Sequence, residues 1–316
     1  MGKTALLLEL ADRAKEFGFI SVRVTASERM LDEIIEGIQL AGLRLREKKG
    51  KAVKSVSAGA YGFSFGLTFT DDIQNNYGFR TKLTLLCEAL AKRGKGILLL
   101  VDEIRTNTPE MRELATTYQH LVGDGTNIAF AMAGLPNAIS NVLNDDILTF
   151  LNRAQKVRLG ALPLNDISVY FMDVFRGIGA AADPKVLDSA VVATKGYPYL
   201  LQLIGYNIIK QLGNTDTITS SIAELAVINS KRALEQDIFI PCLRTLSNED
   251  KRFLEAMAKD PVVSRVADLK ERLNVTGSHI QTYKERLIEA GVVDSPGRGL
   301  LEFSVPYLGA YLRGEV

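Results

Sequence analysis

Three things are scarce in this 316-residue chain, and each scarcity closes off a class of protein. Cysteine is the first: only Cys87 and Cys242 occur, far apart and outside any metal-ligand spacing. Two distant thiols exclude a disulfide scaffold and suit a reducing compartment, so a cytoplasmic location is expected. Long hydrophobic runs are the second. No stretch reaches the roughly 18–20 apolar residues that span a bilayer. Glu9, Asp12 and Arg13 interrupt the first apolar run, where a signal peptide needs continuity. No membrane role is expected. The third is charge of one sign. Lys+Arg 38 against Asp+Glu 37 leaves +1, so any surface for nucleic acid must be local. Internal repeats and low-complexity tails are absent too. What remains is 47% hydrophobic and 24% charged, enough for a proper core and long enough for two or three domains.

One motif is present only in part. Met1-Gly2-Lys3-Thr4 matches the back half of a phosphate-binding loop, G-x-x-x-x-G-K-[ST], and runs into an apolar helix, Ala5 to Leu10. In the complete motif, loop amides cradle phosphates, the Lys reaches the β- and γ-phosphates and the hydroxyl ligates Mg²⁺. The strand and half-loop that belong upstream are missing from the sequence. G-K-T is also a common tripeptide, so the rest of the chain has to decide.

It supplies a second, stronger signal. Gly96-Ile97-Leu98-Leu99-Leu100-Val101 is a continuous apolar run that ends in Asp102-Glu103. Such a run suits a central parallel strand covered on both faces, and acids at its carboxyl end face the ligand crevice. Asp102 would hold Mg²⁺ beside the Thr4 hydroxyl. Glu103 would orient the attacking water, because phosphoryl transfer depends on positioning and charge. Around these lie other periodic segments: a strand at Phe19 to Val24, a helix from Ser27 to about Leu45, a helix from about Thr81 to Lys92, a helix from Pro109 capped by Thr108, and a strand at Asn127 to Gly134. Alternating strands and helices imply a parallel sheet. The basic run from Arg44 to Lys54 reads as a solvated linker, and Tyr61 to Leu67 as a small hairpin or edge strand. Just past the third strand, in the turn Gly134-Leu135-Pro136-Asn137, Asn137 alone has the donor chemistry of a γ-phosphate sensor; a plain turn is the alternative.

Taken in order, these motifs resemble the AAA+ superfamily, and within it bacterial and archaeal ATP-binding proteins with a C-terminal winged helix, close to the origin-recognition and STAND branches. The likeness rests on Gly2-Lys3-Thr4, Leu99 to Ile104, Ala133 to Pro136, Arg153 to Leu162, Gly196 to Gln202 and Phe303 to Arg313. It implies an α/β fold: a P-loop NTPase parallel sheet with its first strand missing, then an all-α lid, then a winged helix. The implied boundaries are 1–161, 162–239 and 240–316. It further implies that the missing strand sits between the strands ending at Asp102 and near Gly134. Arg153 occupies the place of an arginine finger that completes a neighbour's site in a nucleotide-dependent homo-oligomer, and a short strand, Lys156 to Leu159, follows it. Gly196-Tyr197-Pro198 resembles a turn placed against the nucleotide, with Tyr197 or Pro198 on the adenine. Near Tyr199, where many relatives carry a second sensor Arg, this chain has none.

In the last part, Ile240-Pro241 breaks the helical pattern. Ser247 to Asp250 opens a helix, a second runs to Leu273, and a third begins with Ser278 as its N-cap, giving helix-turn-helix spacing before a strand–wing–strand pattern that ends at Phe303. Ser278, Gln281, Thr282 and Lys284 lie on the front of the third helix, and Arg298 lies in the wing, where DNA contacts would arise. Ten basic against eleven acidic residues from Ser247 onward make that surface less basic than DNA-binding domains usually are, so a protein partner is the open alternative. The expectation is an ATP- and Mg²⁺-dependent protein, an ATPase if the phosphate loop is completed upstream, whose nucleotide state acts on a winged helix that touches DNA or a protein. The rival is a truncated, nucleotide-incompetent regulatory protein acting through the winged helix.

Overall fold

The computed structural model describes residues 2–47, 63–65, 67–69, 71–104 and 108–315, leaving aside the side chains at 44–47, 63–65, 71, 72 and 137. Most of the basic run and the first residues of the Tyr61–Leu67 segment lie outside the described residues. The chain divides into two compact units, Gly2–Val157 and Arg158–Val316.

The first unit runs α1 (Lys3–Glu16), β1 (Phe19–Thr25), α2 (Met30–Glu47), β2 (Phe63–Phe65), β3 (Thr68–Phe69), α3 (Asp71–Asn76), α4 (Phe79–Ala91), β4 (Gly96–Ile104), α5 (Pro109–Gly123), β5 (Ile128–Gly134) and α6 (Pro136–Leu143), then a 3-10 turn at Thr149–Arg153. β1, β4 and β5 make a parallel sheet in the order β1-β4-β5. The sequence explains why β4 is central: every residue of it except Glu103 is buried, which only a strand covered on both faces allows. Ile97, Leu99 and Val101 point into a core with Val22, Ile34, Leu83 and Leu86. Leu98 and Leu100 point the other way, beneath Leu7 of α1. Ala129, Ala131 and Ala133 of β5 join that second layer, and their small side chains let α1 lie close to the sheet. α5 starts as expected, with the Thr108 hydroxyl accepting from the Met111 N–H and Pro109 in the first turn. β2 and β3 pair antiparallel, which is the small hairpin anticipated near Phe63.

Three expectations change here. The strands ending at Asp102 and Gly134 pair directly, Leu99 against Phe130 and Val101 against Met132, so no strand lies between them. Lys156–Leu159 is not a strand: residues 155–163 have no regular structure and are exposed, because no strand of the described sheet lends them a ladder. Pro136 starts a helix rather than a turn, since its locked φ and missing N–H suit a first helical position; Asn137 therefore sits on α6.

The second unit contains α7 (Leu164–Gly177), β6 (Ala181–Ala182), α8 (Pro184–Ala193), α9 (Pro198–Leu212), β7 (Thr217–Ile218) and α10 (Ser220–Leu234), followed by a π turn at Glu235–Phe239 and α11 (Ile240–Thr245). After these come α12 (Asn248–Ala258), β8 (Val263–Arg265), α13 (Val266–Leu273), α14 (Gly277–Glu289), β9 (Val293–Asp294), β10 (Leu300–Phe303) and α15 (Leu308–Leu312). Three helices with an antiparallel sheet in the order β8-β10-β9 are winged-helix topology. Pro241 does not break the helix. The Ile240 N–H bonds back to the Glu235 carbonyl, five residues earlier, and this wider turn absorbs the ring that an α-helix could not. The expected boundary at 239/240 thus falls inside one helical rod. The N-cap of α14 is Thr276, whose hydroxyl faces the His279 N–H, and Ser278 lies in the first turn instead.

Candidate functional site

The carboxyl ends of the parallel strands and the start of α1 converge on one place. Gly2 holds φ at 86°, a left-handed geometry that glycine adopts freely, and α1 begins at the next residue. No side chain caps this helix and no acid lies in its first turn, so its leading N–H groups and positive dipole end are left for an anion. At the second residue of the helix, the Thr4 hydroxyl donates to Asp102 Oδ2 at 2.7 Å. These two residues are 98 apart in sequence and were paired only by motif logic.

Asp102 is held on three sides. Its Oδ1 accepts from the Glu103 N–H at 2.9 Å, its carbonyl accepts from the Ala26 N–H at 3.1 Å, and Thr25 stands opposite it in the β1–β4 register. Asp102 as a residue is 7% exposed, so its direction is set by packing as well as by hydrogen bonds.

Between Val101 and Ile104 the β4–β5 ladder slips: Val101 faces Met132, but Ile104 faces Gly134, leaving Asp102 and Glu103 opposite one residue. This is a β-bulge, the device that re-aims side chains beside functional sites. Glu103 takes φ 55°, a left-handed conformation costly to a residue with a Cβ, and it is the one exposed residue of the strand. The bulge brings the Ile104 carbonyl within 2.6 Å of where a Cβ on Gly134 would be, so only glycine fits there. No sequence signal announces the bulge; Gly134 is its only trace.

Two hollows share Thr4, Asp102 and Glu103. One, of about 330 Å³, adds Arg23, Val24, Thr25 and Glu33; the other, of about 260 Å³, adds Lys3, Ile104, Gly134 and Leu135. Arg23 and Glu33 were not singled out from sequence, because nothing in β1 or α2 marks them before the strands are aligned. Among the described residues no group of three or more His, Cys, Asp or Glu is placed to hold a metal. One hydroxyl and one carboxylate are hard oxygen donors, and Mg²⁺ characteristically takes one or two protein oxygens and completes its shell with phosphate and water. The donor set therefore fits Mg²⁺ with a nucleotide and does not fit a cage for a metal alone.

The other anticipated residues fall elsewhere. Arg153 is exposed at the end of the 3-10 turn of the first unit. Tyr197 is 7% exposed and its ring is part of the second unit's own core, leaving no face for stacking on a base; of that pair only Pro198, the first residue of α9, keeps a partly exposed surface. On α14, Ser278, Gln281 and Thr282 are exposed and Lys284 is half-buried, while Arg298 is exposed in the wing. Gln281 is already bonded to Glu285 at 2.6 Å, and the Thr282 hydroxyl donates to the Ser278 carbonyl.

Comparison with known proteins agrees with this architecture. The chain aligns with Cdc6p from Pyrobaculum aerophilum over 99% of its own length and 83% of that protein's, at 17% identity and a TM-score of 0.51. The fold is that of Cdc6p. The Aeropyrum pernix ORC2 protein (14% identity, TM-score 0.46, 99% and 85% covered) and the Thermotoga maritima RuvB Holliday junction branch migration motor (15%, 0.39, 90% and 97%) are also similar, and the fold assignment rests on the first. No curated protein sequence matches. A family model described as a domain of unknown function, DUF8462, matches residues 236–312, which run from the π turn to α15.

Proposed function

We propose that this protein binds Mg²⁺-ATP at the head of its parallel sheet and hydrolyses it, and that the nucleotide state is passed to the winged helix. The carrying observation is the 2.7 Å contact between Thr4 and buried Asp102 at the open end of α1. Thr4 and Asp102 would hold the Mg²⁺, which when bound neutralises phosphate charge. Lys3 and the leading amides of α1 bind and orient the phosphates. Glu103, pushed outward by the bulge, aligns water for attack on the γ-phosphate. Asn137 would sense that phosphate from α6, and Arg153 would serve a neighbouring copy's site. The AAA+-type fold supports the nucleotide reading.

The experiment is a Mg²⁺-dependent ATP titration of this chain and of a version extended upstream, each with a Lys3→Ala partner. Binding by either that is lost in Lys3→Ala is the expected result; no binding by both defeats the proposal in favour of a regulator without nucleotide. For the winged helix we propose DNA as the partner, met by Ser278, Gln281, Thr282, Lys284 and Arg298. A salt-dependent mobility shift tests this, and a Lys284→Ala/Arg298→Ala double substitution without effect would leave a protein partner as the better reading.

A further inference from the structure

We propose that the open edge of β5 is an interface, and that its occupant is a second copy of this chain, paired antiparallel about a two-fold axis at Phe130. The proposal concerns the first unit alone and does not depend on nucleotide.

The open edge follows from the ladder. β5 is the last strand of the described parallel sheet, and among the described residues only β4 pairs with it. The Ile97 N–H donates to the Asn127 carbonyl at 3.0 Å, and in a parallel ladder the bonds to one neighbour come from alternate residues. Asn127, Ala129, Ala131 and Ala133 therefore bond towards β4, while Ile128, Phe130 and Met132 direct their N–H and C=O groups outward. Among the described residues the backbone groups of Phe130 and Met132 have no partner on that side. Native sheets blunt such an edge with charge, with proline or with a cover. Ile128 to Gly134 contains no charged residue and no proline.

The helix above the sheet is open on the same side. α1 turns about 100° per residue, so Leu6, Leu10 and Phe17 lie on the flank that carries Lys3. Lys3 lines the hollow that reaches Gly134 and Leu135, so this flank overlooks β5 and not β1. Leu6 and Leu10 are 37% and 38% exposed, and Phe17 is 78% exposed. Below them, Ala129, Ala131 and Ala133 are only partly buried.

An occupant has to supply a strand edge and an apolar surface above it, and has to bring no charge to the contact. A second copy meets all three demands. An isologous contact needs a patch complementary to itself, and a neutral strand with alternate outward bonds is one. Phe130 would exchange both bonds with the partner's Phe130, and the Met132 N–H would reach the partner's Ile128. A two-fold axis normal to the sheet keeps both copies of α1 on one face, with their apolar flanks turned towards each other. It also points the carboxyl ends of the two sheets in opposite directions. Each Thr4–Asp102 pair then stays with its own copy, so this contact is separate from the one proposed for Arg153.

The test is sedimentation of the full chain over a concentration series, with and without Mg²⁺-ATP, together with hydrogen exchange at the Phe130 and Met132 amides. The expected result is the mass of two chains whether or not nucleotide is present, with exchange at both amides slowing as the dimer forms. Leu10→Glu/Phe17→Glu sets like charges against one another across the axis and should halve the mass. Met132→Pro removes an outward N–H, leaves the β4–β5 bonds whole and should also favour the single chain. Unchanged circular dichroism shows that each variant is folded. The mass of one chain throughout would overturn the proposal: with both amides already protected, the edge is covered from within the chain, and with both exchanging freely, it is left to a strand of another protein. A dimer that forms only with Mg²⁺-ATP, or one that survives both variants, would overturn it too by placing the contact elsewhere.

Discussion

Glu103 carries two demands that separate cleanly by substitution. As a carboxylate it is the proposed water-positioning group, and as a residue with a Cβ it sits at φ 55° in the bulge. Glu103→Gln keeps the backbone demand and removes the charge; ATP hydrolysis should fall on the order of 10²–10⁴-fold with binding retained, measured by phosphate release and nucleotide titration. Glu103→Gly removes both. It should lose hydrolysis equally, yet raise stability by about 1 kcal/mol in urea melts, because glycine pays no penalty in the left-handed region. Cys87 makes a different prediction. Burial pushes its thiol from the ordinary 9.0 up to about 12. The folded state thus keeps a proton that the unfolded chain gives up near pH 9, so this stabilisation is complete below pH 9 and is lost as the pH rises towards about 12. Urea midpoints at pH 7 and pH 10 should diverge less in Cys87→Ala than in the parent. At this scale Thr4, Asp102 and Glu103 were legible because their chemistry is tied to a motif. Arg23 and Glu33 were not, because only strand alignment brings them to the hollow.

Elements were legible wherever side-chain period and end signals agreed. α12 is an example: the Ser247 hydroxyl accepts from the Asp250 N–H and donates to the Asp250 carboxylate, and Asp250 also pairs with Arg286 of α14. One N-cap therefore ties two helices. Ser247→Ala should cost about 1 kcal/mol, read as a lower urea midpoint, and a larger loss would show that the tie to α14 fails with the cap. Prolines were read less well, because their effect depends on position. Pro136 begins a helix and Pro241 rides in one behind a π turn, though both looked like interruptions. Thr276 rather than Ser278 caps α14, since both hydroxyls have cap chemistry and only backbone geometry chooses between them. The segment at Lys156–Leu159 has strand composition, but a strand exists only when a neighbour supplies its hydrogen bonds.

At the scale of the molecule, the two compact units have separate hydrophobic cores. Scanning calorimetry should resolve two transitions, and saturating Mg²⁺-ATP should raise the one belonging to residues 2–157. At a hundredfold excess over Kd that shift corresponds to about 2.7 kcal/mol, and a shift of the other transition instead would place the nucleotide elsewhere. The sequence by itself determined the class of fold, the central strand ending in Asp102-Glu103 and the winged helix, because each is written in local period and in motif chemistry. Only tertiary structure decided that β4 and β5 are neighbours, that a bulge turns Glu103 outward and that lid and winged helix share one core. These depend on which backbone edges meet and which apolar faces cover one another, and such pairings between distant segments leave almost no mark in local sequence. The Met1-Gly2-Lys3-Thr4 motif shows both sides of this division: the sequence supplied its residues, and the fold set the Thr4 hydroxyl 2.7 Å from the Asp102 carboxylate.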